Sequence, residues 1–141
     1  RDIGFSGLSS DFRICGENLL AKHSIAYNAL ESHFYAFALF DKNVCLSWDH
    51  STEWFELLGL SCVPILYRGL WDELLVRRCW TGCSVASPGA AQEGYVVRLA
   101  SSFSVEDFGV SVAKFVRRDH VQTDEHWLRK PLELNSLRRI L

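Results

Sequence analysis

Phe34-Tyr35-Ala36-Phe37-Ala38-Leu39-Phe40 leads through Asp41-Lys42-Asn43 into Val44-Cys45-Leu46-Ser47-Trp48. The first run is dense in aromatic side chains, which suit a pleated, half-buried surface. The polar triplet carries turn chemistry. The pattern predicts a strand over Phe34–Phe40, a turn, and a second strand from Val44 to Trp48, joined as a hairpin. Upstream, residues 1–12 are Gly/Ser-rich and read as a loop, while Phe12-Arg13-Ile14-Cys15-Gly16 is a short β-run ended by glycine. Leu19 to Tyr27 is mixed and reads as strand and turn.

Downstream, Ser51-Thr52-Glu53 has the chemistry of a helix start, with Ser51 as the expected cap and Trp54, Phe55, Leu57 and Leu58 as an apolar face. Gly59 is the expected stop. Cys62 to Tyr67 is extended, with Pro64 placing it at an edge or a strand start. Leu70 to Trp80 predicts a second helix whose apolar stripe is Trp71, Leu74, Leu75 and Cys79. Thr81 to Gln92 is a loop. Glu93-Gly94-Tyr95-Val96-Val97-Arg98-Leu99 alternates as a strand does. Phe103 to Phe108 is a turn or short helix, Ser111 to Val116 a last strand, and helix is expected again near the C-terminus. Short strands with two or three helices predict an α+β fold with a largely antiparallel sheet.

Composition narrows the function classes. The 141 residues amount to one domain, with 48% hydrophobic and 23% charged residues. No apolar run approaches the roughly 20 residues of a membrane span. The net charge of −2 gives no global basic field for nucleic acid. From Lys114 to Arg139, however, Lys and Arg outnumber Asp and Glu, interleaved with Phe115, His120, His126 and Trp127. That stretch reads either as a phosphate-contacting edge or as a solvated basic helix and tail. The five cysteines are Cys15, Cys45, Cys62, Cys79 and Cys83, an odd number lying partly in apolar stretches, as free thiols do in a reducing cytoplasm. Cys79-x3-Cys83 with His120-x5-His126 imitates a zinc site only loosely. The chain opens Arg1-Asp2-Ile3-Gly4 and contains no Met, so it reads as a piece of a longer or processed protein.

Three expected strands carry charges that a core strand lacks: Glu17 after Cys15-Gly16, Glu93 and Arg98 around Tyr95-Val96-Val97, and Lys114 and Arg117 around Phe115-Val116. A buried charge needs a partner or a ligand. Each alone also fits a solvated strand end.

In their order these segments resemble the RNA-ligase branch of the covalent nucleotidyltransferases. Phe12-Arg13-Ile14-Cys15-Gly16-Glu17 is similar to that family's Gly-Glu strand, and Phe34-Tyr35-Ala36-Phe37 to its aromatic strand beside adenine. Glu93-Gly94-Tyr95-Val96-Val97-Arg98 is similar to its Glu-Gly-apolar-Lys/Arg motif, and Ala113-Lys114-Phe115-Val116-Arg117 to its last lysine-bearing strand. Ala21 to Tyr27, Val63 to Tyr67 and His120 to Trp127 extend the resemblance over nearly the whole chain. It implies an ATP-grasp-like nucleotidyltransferase domain over 1–141, incomplete at its N-terminus. It also implies ATP, Mg²⁺ and RNA ends as cofactors and substrate, in RNA repair.

Adenylyl transfer builds charge on the α-phosphate, so cations must be aimed there. Lys114 is the candidate, supported by Arg117 or Arg98. Glu93 suits Mg²⁺, which takes one or two carboxylates alongside phosphates. Phe37 is placed to stack on adenine, or else packs in the core. The resemblance gives Glu17 to a ribose hydroxyl. Lys22 and His23 read as a surface loop. Two departures stand out. The family's nucleophile is a lysine in Lys-x-x-Gly or Lys-x-Asp-Gly, and none of Lys22, Lys42, Lys114 and Lys130 has that setting. The last strand has Val116 where many relatives alternate a second lysine. Three readings remain: part of a working RNA ligase, a non-catalytic nucleotide- or RNA-binding remnant, and an unrelated interaction module.

Overall fold

The computed structural model describes residues 11–118 and 131–139. Its architecture is α+β, with two sheets that are antiparallel but for one short pairing. Strand β1 (Phe12–Asn18) pairs with β2 (Phe34–Asp41), β2 with β3 (Val44–Cys45), and β3 with β6 (Phe103–Ser104), all antiparallel. Strand β4 (Ser61–Cys62) adds to β2 in parallel. A second sheet joins β5 (Gly94–Arg98) to β7 (Val112–Val116).

The β2–β3 hairpin forms as its sequence suggests, with Lys42 taking the left-handed conformation (φ 51°) in the two-residue loop. Its second arm is shorter than expected. β3 ends at Cys45, and Trp48 opens the helix α1 (Trp48–Leu57) instead of closing a strand. Ser47 caps that helix, its Oγ accepting from the His50 amide at 3.3 Å. Ser51, the expected cap, is buried inside it and donates back to the Ser47 carbonyl at 2.9 Å. The shift has a tertiary cause: the Trp48 amide donates to the Ala100 carbonyl at 2.8 Å, which draws the chain off the sheet. Gly59, at φ 66°, stops the helix as expected. The run after β4 ends early because the Val63 amide makes the last bond, to Ala36, and Pro64 has no N–H to offer.

The second helix, α2 (Glu73–Arg78), is shorter than Leu70–Trp80 because Asp72 caps it, accepting from the Leu75 amide at 3.0 Å. Its expected apolar stripe does not face the core: Trp71 is 69% exposed, Leu74 and Leu75 are exposed, and Val76 is the buried residue. Between β6 and β7 lie a 3₁₀ turn (Val105–Asp107) and one helical turn, α3 (Phe108–Ser111). Residues 131–139 are not helical, contrary to expectation. They run extended and bridge Ala21 through Leu134 and Leu30 through Leu137. The stretch His120–Trp127, and with it the histidine half of the zinc spacing, lies outside the described residues, as does Lys130. No helix among the described residues is long and apolar enough to cross a membrane.

The larger sheet is packed on both faces. Phe55 of α1 covers Ala36 and Leu39, with Phe12, Ile14 and Trp54 around it. On the opposite face Ala38, Phe40, Cys45 and Phe103 form a second cluster joined by Cys15 and Val112. A third cluster gathers Ile25, Tyr27, Leu30 and Tyr35 at the end of β2.

Candidate functional site

The β1–β2 pairing contains a bulge. Cys15 is opposite Ala38 but Gly16 is opposite Ala36, so Phe37 has no partner. A bulge re-aims the side chains beside it. Counting from Tyr35, alternation puts Phe37 on the face that carries Glu17 and, past the bulge, Ala38 and Phe40. Within β2, Phe37 alone is exposed, at 38%. Its ring does not pack in the core, which was the competing expectation for it. Gly16 is required at this point, because a Cβ there would lie 2.3 Å from the Phe34 ring and 2.7 Å from the Tyr35 carbonyl.

The β5–β7 pair presents two chemically different faces. Tyr95 and Phe115 are opposite one another and stack at 5.0 Å, and Trp80 meets Phe115 edge-on at 5.4 Å. The other face carries Val96 opposite Lys114 and Arg98 opposite Val112. This face is turned toward the larger sheet, since Val112 packs on the cluster around Phe40. Arg98 ties the sheets together. Its Nη2 donates to the Leu46 carbonyl at 2.9 Å, its Nε donates to Leu99 at 2.9 Å, and its guanidinium lies over the rings of Trp48 and Phe103. Lys114, exposed, shares the face. Phe37 and Glu17 thus share the face of the larger sheet that carries the Phe40 cluster, and Lys114 shares the β5–β7 face whose Val112 packs on that cluster. Gly94 is forced by the same close pairing: a Cβ would fall 1.9 Å from the Phe115 carbonyl oxygen.

Glu93 and Arg117 lie just beyond the strand ends and are joined through the backbone, the Arg117 amide donating to the Glu93 carbonyl at 3.0 Å. Both act on Tyr27. Burial raises the Tyr27 phenol above its usual range. The Glu93 carboxylate raises it further, and so does Glu17, while Arg117 opposes them. The Tyr27 phenol is therefore protonated at neutral pH, under the influence of two carboxylates and one guanidinium. Ser24 Oγ donates to Glu93 Oε1 at 3.1 Å. Arg117 Nε is buried with no hydrogen-bond partner among the described residues.

Of the residues singled out in the sequence, Glu93 and Arg117 are joined through the backbone, and together with Glu17 they act electrostatically on one phenol. Phe37 and Lys114 line facing sheets, and Arg98 is occupied in holding those sheets. Ser24 and Tyr27 were not singled out, although Ala21–Tyr27 belongs to the segments carrying the resemblance. Lys22 pairs with Glu133, and His23 is exposed. No three or more His, Cys, Asp or Glu side chains cluster as metal ligands among the described residues. The Glu93 carboxylate, with the Ser24 hydroxyl on it, offers hard oxygen of the kind Mg²⁺ takes alongside phosphates. The orphaned Arg117 Nε is a cationic donor suited to a phosphate oxygen.

A family model described as RNA ligase matches residues 2–116. No curated protein and no solved structure matches the chain.

Proposed function

The chain belongs to the RNA ligase family, and from that membership we propose that it forms the adenylate-binding cleft for ATP-dependent joining of RNA 5′-phosphate and 3′-hydroxyl ends. The reaction passes through an enzyme-AMP and an RNA-adenylate intermediate. The observation that supports the assignment is that Ser24 bonds the Glu93 carboxylate and the Glu93 backbone holds Arg117, while Phe37 alone in β2 keeps its ring exposed.

In this reading Phe37 stacks on adenine, Glu17 accepts from a ribose hydroxyl, and Lys114 and Arg117 direct positive charge at the α-phosphate as negative charge develops there. Arg98 acts by fixing the distance between the sheets. Glu93 would hold Mg²⁺, whose contribution is to neutralise phosphate oxygens. The nucleophile is assigned to none of Lys22, Lys42, Lys114 and Lys130, because none has the Lys-x-x-Gly or Lys-x-Asp-Gly setting.

That last observation favours a second reading, in which the cleft binds a nucleotide or RNA without catalysis. Both are tested on the full-length protein with labelled ATP, Mg²⁺ and RNA carrying 5′-phosphate and 3′-hydroxyl ends. Covalent AMP labelling with sealing supports the first, and reversible ATP binding with neither supports the second. Glu93→Ala and Lys114→Ala are each expected to abolish labelling. Unchanged labelling in both would overturn the site assignment.

A further inference from the structure

We propose that Ser24 and Tyr27 are positioning residues that hold the Glu93 carboxylate from one side, and that Asn135 in turn holds the loop bearing them. The proposal rests on the reading of Glu93 as a Mg²⁺ and phosphate-site ligand, and adds the apparatus that orients it.

The two hydroxyls come from one short stretch. Ser24 Oγ donates to Glu93 Oε1 at 3.1 Å, and the same carboxylate acts on the Tyr27 phenol, raising it. Ser24 is exposed, whereas Tyr27 is 9% exposed and packed among Ile25, Leu30 and Tyr35. A hydroxyl on a buried, packed ring has one place to be, so it offers the carboxylate a fixed donor. Partners of this kind orient ligating carboxylates, and their loss weakens metal affinity without removing a ligand.

The loop has little regular structure of its own between β1 and β2. Its shape is imposed by residues 131–139. Asn135, 5% exposed, accepts from the Tyr27 amide through Oδ1 at 2.8 Å and donates through Nδ2 to the carbonyls of Leu19 at 2.8 Å and Ala21 at 3.3 Å. Its own amide donates to the Leu20 carbonyl at 3.0 Å, and the Ser136 amide donates to the Tyr27 carbonyl at 3.0 Å. One buried amide side chain thus spans the loop from Leu19 to Tyr27. A buried Asn with donors and acceptor all engaged fixes a backbone path that apolar packing alone leaves open. Asn135 lies beyond residues 2–116, the part matched by the family model.

The test is calorimetric titration of the full-length protein with ATP at a series of Mg²⁺ concentrations, well below the melting temperature of every variant. Tyr27→Phe keeps the ring and removes the hydroxyl, and Ser24→Ala removes the other donor. Each is expected to raise the Mg²⁺ concentration at half-maximal ATP binding, about ten-fold for Tyr27→Phe. Affinity for ATP without Mg²⁺ should hold, and Ser24→Thr should restore the wild-type value. Asn135→Ala should show the same Mg²⁺ signature. Adding Tyr27→Phe to it should cost less than the same change costs in the wild type, because both act through one contact. Full additivity would refute the role of Asn135. Wild-type Mg²⁺ dependence in Tyr27→Phe and Ser24→Ala, alongside its loss in Glu93→Ala, would overturn the proposal and leave the reading of Glu93 standing. Wild-type Mg²⁺ dependence in Glu93→Ala would overturn the reading of Glu93 itself, and the proposal with it.

Discussion

Replacing Phe37 with alanine separates a binding aromatic from a packing one. Phe37 occupies the unpaired bulge position of β2 and keeps 38% of its surface exposed, whereas Phe55 is 1% exposed under the same sheet. Phe→Ala in a closed core costs about 3–5 kcal/mol. A ring already partly in water loses less, about 1–2 kcal/mol when the transfer energy of a fully buried Phe is scaled to its covered part. For a chain of this size that is roughly 3–8 °C in melting temperature, against roughly 10 °C or more for Phe55→Ala. Stacking a base on an aromatic ring is worth about 1–3 kcal/mol, so Phe37→Ala should raise the Kd for ATP by about 5- to 150-fold. Thermal denaturation and calorimetric titration of ATP, run on both variants, check the two halves. The reasoning is refuted if Phe37→Ala melts as early as Phe55→Ala, or if its affinity for ATP is unchanged.

Two further outcomes follow from the packing. Gly94→Ala puts a methyl group where the Phe115 carbonyl oxygen now stands, and both are backbone-fixed. Parting β5 from β7 should cost about 1–3 kcal/mol, read as a lower melting temperature with ATP binding weakened beside it; wild-type stability would show that the strands do not approach so closely. Cysteine alkylation at pH 8 should follow exposure: Cys83 reacts first, while Cys45, buried, with its thiol pushed up by that burial, reacts only on unfolding. Mass-spectrometric mapping of the labelled thiols checks the order, and early labelling of Cys45 would contradict the cluster around Phe40.

The strands were legible from aromatic density in Phe34–Asp41, from alternation around Tyr95–Arg98, and from the glycines at Gly16 and Gly94. Phe12–Asn18, Phe34–Asp41, Gly94–Arg98 and Val112–Val116 all stand close to where the sequence puts them. The misplaced helix start shows what pattern alone misses. Ser47 and Ser51 are both plausible caps, and the choice is made by the bond from Trp48 to Ala100, more than fifty residues away. The stripe Trp71, Leu74 and Leu75 has helical spacing, yet spacing does not say which face meets the core, and here it is largely exposed. In the site, Glu17, Glu93 and Arg117 were recognisable as charges in strand contexts. Tyr27 was not, since a tyrosine in a mixed loop has no periodicity to mark it. Asn135 had no signal: its importance lies in three side-chain hydrogen bonds to residues more than a hundred positions upstream.

The central claim is that this chain carries the adenylate-binding cleft but not the residue that takes the AMP. Incubating the 141-residue chain with α-labelled ATP and Mg²⁺, then denaturing it and counting the protein-bound label, tests that claim most directly. The account predicts saturable ATP binding before denaturation and no label on the protein afterwards. A stable lysine-linked AMP on Lys22, Lys42, Lys114 or Lys130 would contradict it.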